Sequence, residues 1–204
     1  GEIGDIPYAA FVAPGLMATT AMNGALMEST FNLFFKLKYA KTFDAILATP
    51  LGPSDVAIGE VSWSLTRGLL YAIGFLLVML ALGLVLSPTA ILAIPGALLI
   101  GLAAAAVGMA ATTYMRKWQD FDIVNVVTMP MFLFSGTFFP ISVYPEWLQV
   151  IVQLTPLYRG VHMLRAFTTG LIDPMVLVDI AYLTIMGLIG VAITSRRLKT
   201  LLLK

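Results

Sequence analysis

Charged side chains are scarce and unevenly spaced, and the uncharged gaps mark out membrane helices. A helix needs roughly 20 mostly apolar residues to cross a hydrocarbon core about 30 Å thick. The longest gap runs from Gly68 to Met115, between Arg67 and Arg116. Its 48 residues would make a helix roughly 72 Å long, which is too long for one crossing and suits two. Proline disfavours helix at the residue before it and fits the first turn of the next, so the break is expected at Ser87-Pro88. The spans Gly68–Leu86 and Thr89–Thr113 then form a hairpin with almost no loop.

Three more spans are expected. Phe121–Phe139 is apolar and aromatic, interrupted by Pro130 and closed by Pro140. Pro174–Thr194 is apolar apart from Asp179 and stops at Ser195-Arg196-Arg197. Ala9–Met27 holds Pro14, Gly15, Asn23 and two threonines, which membrane helices tolerate where they pack on other helices. It is not read as a signal peptide, because Glu2 and Asp5 stand where basic residues belong. The expected fold class is all-α, a polytopic membrane bundle of about five spans making one transmembrane domain over residues 1–204.

Composition agrees: of 204 residues, 59% are hydrophobic and only 11% charged, where soluble domains run near 25%. A net charge of +1 gives no footing for nucleic acid. Cysteine is absent, so disulfides and thiolate metal sites are excluded. The single histidine, His162, argues against a zinc site or a His-dependent triad. With five spans, Lys36, Lys38, Lys41, Arg67, Arg116, Lys117, Arg196, Arg197, Lys199 and Lys204 share one side. Only Arg159 and Arg165 fall on the other. The positive-inside rule makes the first side cytoplasmic, with the N-terminus of this chain outside and the C-terminus inside. A start outside at Gly1 suggests that an earlier span precedes it.

Two segments do not read as plain spans. Within the cytoplasmic segment 36–60, Lys41–Thr49 carries apolar residues at 43, 46 and 47, a helical spacing, with Lys41, Asp44 and Thr49 on its other face. Pro50-Leu51-Gly52-Pro53 breaks that helix, and Ser54 is the expected N-cap of the next. Such a short amphipathic helix suits either docking on a cytoplasmic partner or lying on lipid headgroups. In the outer segment 140–173, the runs Leu148–Leu154 and Leu157–Phe167 are each too short to cross, and Thr155-Pro156 divides them. They read as a re-entrant or interfacial helix pair, with Tyr144 and Trp147 at the interface.

Some residues stand out chemically. Asn23 and Glu28 lie in the inner half of the first span, where buried polar groups often serve function. Asp179 and Glu28 also lie near enough to span ends to reach headgroups or water. Glu60, Trp63 and Arg67 are expected together as an anchor at the inner end of the second span. Ala97, Gly101 and Ala105, with Ala104, Gly108 and Ala111 beside them, make small-residue stripes for close helix packing, within one chain or across a dimer seam. Phe132, Phe134, Phe138 and Phe139 form either an aromatic gate or a lipid-facing cluster. An intramembrane serine protease is not supported, since Leu133 replaces the glycine two residues before Ser135.

Two runs carry a family resemblance, Tyr39–Glu60 (YAKTFDAILATPLGPSDVAIGE) and Phe134–Arg165 (FSGTFFPISVYPEWLQVIVQLTPLYRGVHMLR). Together with Val12–Ser29 (VAPGLMATTAMNGALMES), they resemble the permease subunits of type-2 ABC exporters, in the nodulation-factor and daunorubicin-resistance branch. Six spans are usual there, and this chain begins about where the second would. The resemblance implies a bacterial plasma-membrane permease that pairs with a second permease, identical or homologous. Two copies of a cytoplasmic ATP-binding subunit would bind ATP and Mg, while this chain itself binds no cofactor or metal. It also implies that Lys41, Thr42, Phe43, Asp44, Ile46, Leu47 and Thr49 form the ATPase-coupling helix. Phe134, Phe138 and Phe139 would line the gate, while Asn23 and Glu28 are candidates for a substrate path because of their polarity. The implied cargo is amphipathic or lipid-linked: a drug, glycolipid or polysaccharide precursor.

No phosphate loop occurs, nor any Gly-Lys pair, so this chain is expected to have no catalytic residues and no ATPase site. The alternatives are a channel not coupled to an ATPase or a membrane assembly factor. The spans supply few of the polar residues that a pore ring needs.

Overall fold

The computed structural model describes residues 2–3, 6–39, 46, 48–51, 53–115 and 117–202. A two-residue antiparallel pair, β1 (Glu2–Ile3) with β2 (Ile6–Pro7), precedes helix α1 (Tyr8–Met27). The first span does not end at Met27. It runs on through a π turn (Glu28–Asn32) into α2 (Leu33–Lys38), since no glycine or proline stands in the way. The Thr30 hydroxyl donates to the Leu26 carbonyl at 2.6 Å inside this widened stretch.

Helix α3 (Pro53–Ala81) departs from expectation at both ends. Pro53 begins it, so Ser54 lies inside its first turn rather than capping it. Its apolar crossing part is Ser62–Ala81. It stops before Leu86 because Gly83 takes a φ of 67°. There the Leu84 amide donates to the Met79 carbonyl at 2.9 Å and the Gly83 amide to Leu80 at 3.1 Å, a Schellman cap. The connection is therefore longer than a bare Ser87-Pro88 break. The extended Ser87 accepts from the Thr89 amide at 3.3 Å and opens a 3-10 turn (Pro88–Leu92) that leads into α4 (Ala93–Thr112).

Helix α5 (Phe121–Phe134) ends earlier than Phe139. Gly136, at φ 72°, turns the chain and leaves Phe138 and Phe139 outside the helix. Then come α6 (Glu146–Gln153) and α7 (Pro156–Thr169), parted at Thr155, whose hydroxyl accepts from the Tyr158 amide at 3.4 Å. Left-handed Gly170 closes α7. The last helix, α8 (Met175–Leu202), runs past Thr194 and keeps Arg196 and Arg197 in regular helix.

Among the described residues, four stretches are long and apolar enough to cross a membrane: Tyr8–Lys36, Ser62–Ala81, Pro88–Thr112 and Met175–Arg197. The 14 residues of α5 reach only about 21 Å, yet its two ends lie at opposite ends of the bundle. Phe121 packs edge-on against Phe34 at 5.1 Å, beside the end where Lys36 meets Glu60. Just beyond Phe134, the Gly136 carbonyl accepts from Arg165 at 2.8 Å at the far end. The chain thus traverses the bundle alternately in α1, α3, α4, α5 and α8. For brevity, the end holding Lys36, Arg67 and Arg197 is the basic end, and that holding Ser87 and Gly136 the far end.

Helix α4 is the hub, packed on α1, α3, α7 and α8 through small side chains. A Cβ on Gly96 would meet Leu164 at 2.8 Å, one on Gly160 would meet Ile100 at 2.8 Å, and one on Gly190 the Ala106 backbone at 2.7 Å. Gly101 abuts Ala21 and Ala25, and a Cβ on Gly108 would run into the Ser29 hydroxyl. These small positions let helix backbones approach within the chain. Gly190→Val is expected to force α8 off α4, at a cost of about 1–3 kcal/mol. Thermal unfolding in detergent will read this as a lower midpoint. Gly74→Ala, which meets nothing within 4 Å, serves as the neutral control.

Candidate functional site

Polar groups inside an apolar bundle mark places where structure serves something other than packing. At the basic end, Glu28 sits buried on the π turn and accepts from Arg67 Nη1 at 2.6 Å and Asn32 Nδ2 at 2.8 Å. Lys36 Nζ donates to both Glu60 oxygens, at 2.7 and 2.8 Å. The Arg67 guanidinium lies 5.3 Å from the Trp63 ring. The expected Glu60–Trp63–Arg67 anchor is thus divided. Seven residues along a helix separate Glu60 and Arg67 by about 10.5 Å, so Glu60 pairs with Lys36 of α2 and Arg67 with Glu28 of the π turn instead.

The Lys36–Glu60 pair joins the two helices that flank residues 39–52. Of the residues assigned to coupling, Lys41, Thr42, Phe43, Asp44 and Leu47 lie outside the described residues. Ile46 is half-buried, and the exposed Thr49 donates its hydroxyl to the Ile46 carbonyl at 2.5 Å.

Asn23 and Glu28 do not share a surface. Five residues at 3.6 per turn set them about 140° apart. Glu28 points into the bundle, whereas Asn23 is exposed on the same face as Leu16, Thr20, Gly24 and Met27. The phenylalanines are likewise dispersed. Phe138 packs edge-on against Phe132 at 5.3 Å, Phe134 against Tyr144 at 5.8 Å, and Phe139 is exposed.

A second ionic group lies at the far end, where α7 meets α8. Asp179 is completely buried, which overturns the expectation that it reaches headgroups or water. Its Oδ1 accepts from Arg159 Nη1 at 3.1 Å, and its Oδ2 lies 2.6 Å from His162 Nδ1. His162 Nε2 lies 3.7 Å from Asp173, so the ring bridges two acids, and Tyr158 stacks on it. The hydrogen bond to Asp179 raises the His162 pKa above its ordinary 6.5, outweighing the burial that opposes it. Burial raises the neighbouring Tyr158 hydroxyl as well. Ser135 is occupied elsewhere, bonded to the Phe132 carbonyl and to Thr137.

One helical turn on, Arg165 is a clamp. Its Nε donates to the Phe11 carbonyl at 3.1 Å and its Nη2 to Gly136 at 2.8 Å, with the guanidinium 3.6 Å above the Phe11 ring. Burial lowers its pKa to about 10, so it stays charged at neutral pH. Three segments distant in sequence meet on this one side chain. The sequence signal for both far-end groups was the pair of arginines in α7, the only Lys or Arg among the described residues away from the basic end.

A family model described as ABC-2 type transporter matches residues 3–168. The chain is 31% identical over 166 residues to Nodulation protein J of Sinorhizobium fredii, covering 81% of this chain and 63% of that protein. It is 30% identical over 203 residues to Nodulation protein J of Rhizobium leguminosarum bv. viciae, covering 97% and 78%. The inner membrane transport permease YadH of Escherichia coli is 24% identical over 204 residues, covering 96% and 74%. The chain therefore spans just under two-thirds of the length of the Sinorhizobium relative. No solved structure matches.

Proposed function

Because this chain belongs to the ABC-2 type transporter family, we propose that it is the membrane-spanning permease of an ATP-driven exporter in a bacterial plasma membrane. Two copies of a cytoplasmic ATP-binding subunit and a second permease complete the transporter. ATP and Mg are held by the ATP-binding subunits, and this chain is the non-catalytic transport part. The basic end faces the cytoplasm, as the positive-inside rule requires, so Tyr8 and the α6–α7 pair lie outside. The cargo is amphipathic or lipid-linked, in keeping with the apolar lining of the bundle.

The observation that carries this reading is the Lys36–Glu60 pair at the base of residues 39–52. A power stroke delivered by a partner must enter through an element fixed to the spans. We assign that role to Lys41–Thr49, and the Lys36–Glu60 ion pair joins the two helices that flank it. The exposed face of α1 that carries Thr20, Asn23 and Gly24 is small and polar at membrane depth, which suits a substrate path. Glu28 supports that path from behind through Arg67, and the outer gate is assigned to the segment that carries Phe134, Phe138 and Phe139.

Phe43→Glu and Asp44→Arg should each abolish co-purification with the ATP-binding subunit while leaving the permease folded in detergent. Retention of the subunit by both variants would remove the coupling assignment. Lys36→Glu should lower transport-coupled ATP hydrolysis, and the swap Lys36→Glu with Glu60→Lys should restore it. Surface pairs contribute under about 1 kcal/mol to stability, so the readout is coupling rather than melting.

A further inference from the structure

A cleft of about 660 Å³ runs along the side of the bundle between α5 and the facing sides of α1, α4 and α8. It exists because α5 is fixed at both ends and stands off between them. Phe121 packs on Phe31 and Phe34 at the basic end, and the turn after Phe134 is tied to Arg165 at the far end. In between, Val124 and Val127 face Leu26, Ala104 and Val107 across open space, and Met131 rejoins the core. Packed interiors leave few voids larger than a water molecule, whereas ligand cavities run to about 300–1,000 Å³. The cleft belongs with the second kind.

Its two ends differ. The basic-end mouth is formed by Tyr114, Met115 and Asp120. Over the Tyr114 ring, at 4.2 Å, lies the guanidinium of Arg197. The Arg197 Nε is enclosed and finds no hydrogen-bond partner among the described residues. Lys117 is exposed beside this mouth. An apolar slot whose mouth sets Arg197 and Lys117 beside the single carboxylate of Asp120 suits an occupant with an apolar tail and an anionic head. A flexible hydrocarbon chain of a lipid meets both demands.

We infer that the cleft seats one anionic phospholipid of the bilayer, with an acyl chain between α5 and α4 and its phosphate on Arg197 and Lys117. A guanidinium matches phosphate oxygens in a fork, and the unpartnered Nε gains its acceptor. The chain fills the gap that protein side chains leave, so the position of α5 depends on the lipid as well as on the fold. This site is independent of the cargo path proposed on α1.

The test uses the full protein in phosphatidylcholine nanodiscs containing a trace of phosphatidylglycerol with a photoactivatable acyl chain. Cross-links are mapped by mass spectrometry. Residues 104–111 and 124–131 should be labelled saturably, and unlabelled phosphatidylglycerol should compete while phosphatidylcholine should not. Arg197→Gln should lower this labelling about tenfold, whereas Arg197→Lys should retain most of it. Ala111→Phe, which narrows the slot, should lower it too. Labelling at Leu77 and Leu80, on the exposed face of α3, should stay constant throughout and reports that the variants fold. Non-saturable labelling indifferent to headgroup, to Arg197→Gln and to Ala111→Phe would overturn the inference in favour of bulk lipid. Cross-links from a photoreactive residue at Val127 to a second protein copy would overturn it in favour of a protein interface.

Discussion

Asp179→Ala should destabilise the protein by about 3–5 kcal/mol, the usual cost of leaving a buried charge without its partner. The carboxylate is completely buried and satisfies two cationic groups at once, Arg159 and His162. Removing it strands the Arg159 guanidinium, only 12% exposed, against the Tyr182 ring. Thermal unfolding in detergent measures the loss. The double variant Asp179→Leu with Arg159→Met should recover most of it, because apolar groups of similar volume often replace a buried pair without net cost. A double variant as unstable as the single one would mean that the cluster is not electrostatic in origin. The same group gives stability a pH dependence of known sign. The folded-state pKa of His162 lies above its ordinary 6.5, so the contribution of the protonated ring is complete below that pH. It declines as pH rises through the raised value. The stability difference between the wild type and His162→Gln should therefore be largest below about pH 6.5 and shrink toward alkaline pH. A difference that grows with pH would reverse the assignment of the ring as the proton-holding partner of Asp179.

How far the sequence foretold this structure depends on the kind of signal. Hydrophobic run length located every crossing element, because lipid leaves a backbone few alternatives to helix. Helix ends were harder. The stop at Ala81 was written in Gly83, yet a glycine inside an apolar run carries no mark of its left-handed backbone until its hydrogen bonds are seen. Likewise Arg196 and Arg197 end the apolar span of α8 without ending the helix, since hydropathy and helix propensity are separate properties. Side-chain partners were mostly illegible. Glu28 and Arg67 lie 39 positions apart and Arg165 and Phe11 154 apart, and nothing local in one sequence links such pairs. Asp179 was misplaced for the same reason. Depth along a helix is readable from position, but burial depends on which neighbour covers the face, and α7 covers this one. The gap beside α5 was equally hidden, because a helix held at its ends and one packed along its length share the same hydropathy.

Arg165→Ala should be nearly as damaging, at about 2–4 kcal/mol, since it leaves buried carbonyls without donors and removes a packed side chain. Arg165 gathers the start of α1, the turn after α5 and helix α7 by donating to the carbonyls of Phe11 and Gly136. These donors leave one planar fork in different directions, which an ammonium on a flexible stem does not reproduce. Arg165→Lys is therefore expected to lose most of what Arg165→Ala loses, even though charge is kept. The loss has a local signature. Without the clamp, the turn at Gly136 keeps its local bonds, Ser135 to Phe132 and to Thr137, and its packing on α1 and Tyr158. Amide hydrogen exchange at residues 135–139 should rise strongly in both variants, while exchange in the middle of α4, buried on several sides, should change little. If Arg165→Lys behaved as wild type in both stability and exchange, charge alone would suffice. The joining of the α5 turn to α1 would then have to come from the close fit of Gly15 against Thr137, and Gly15→Ala would take over as the variant that releases it.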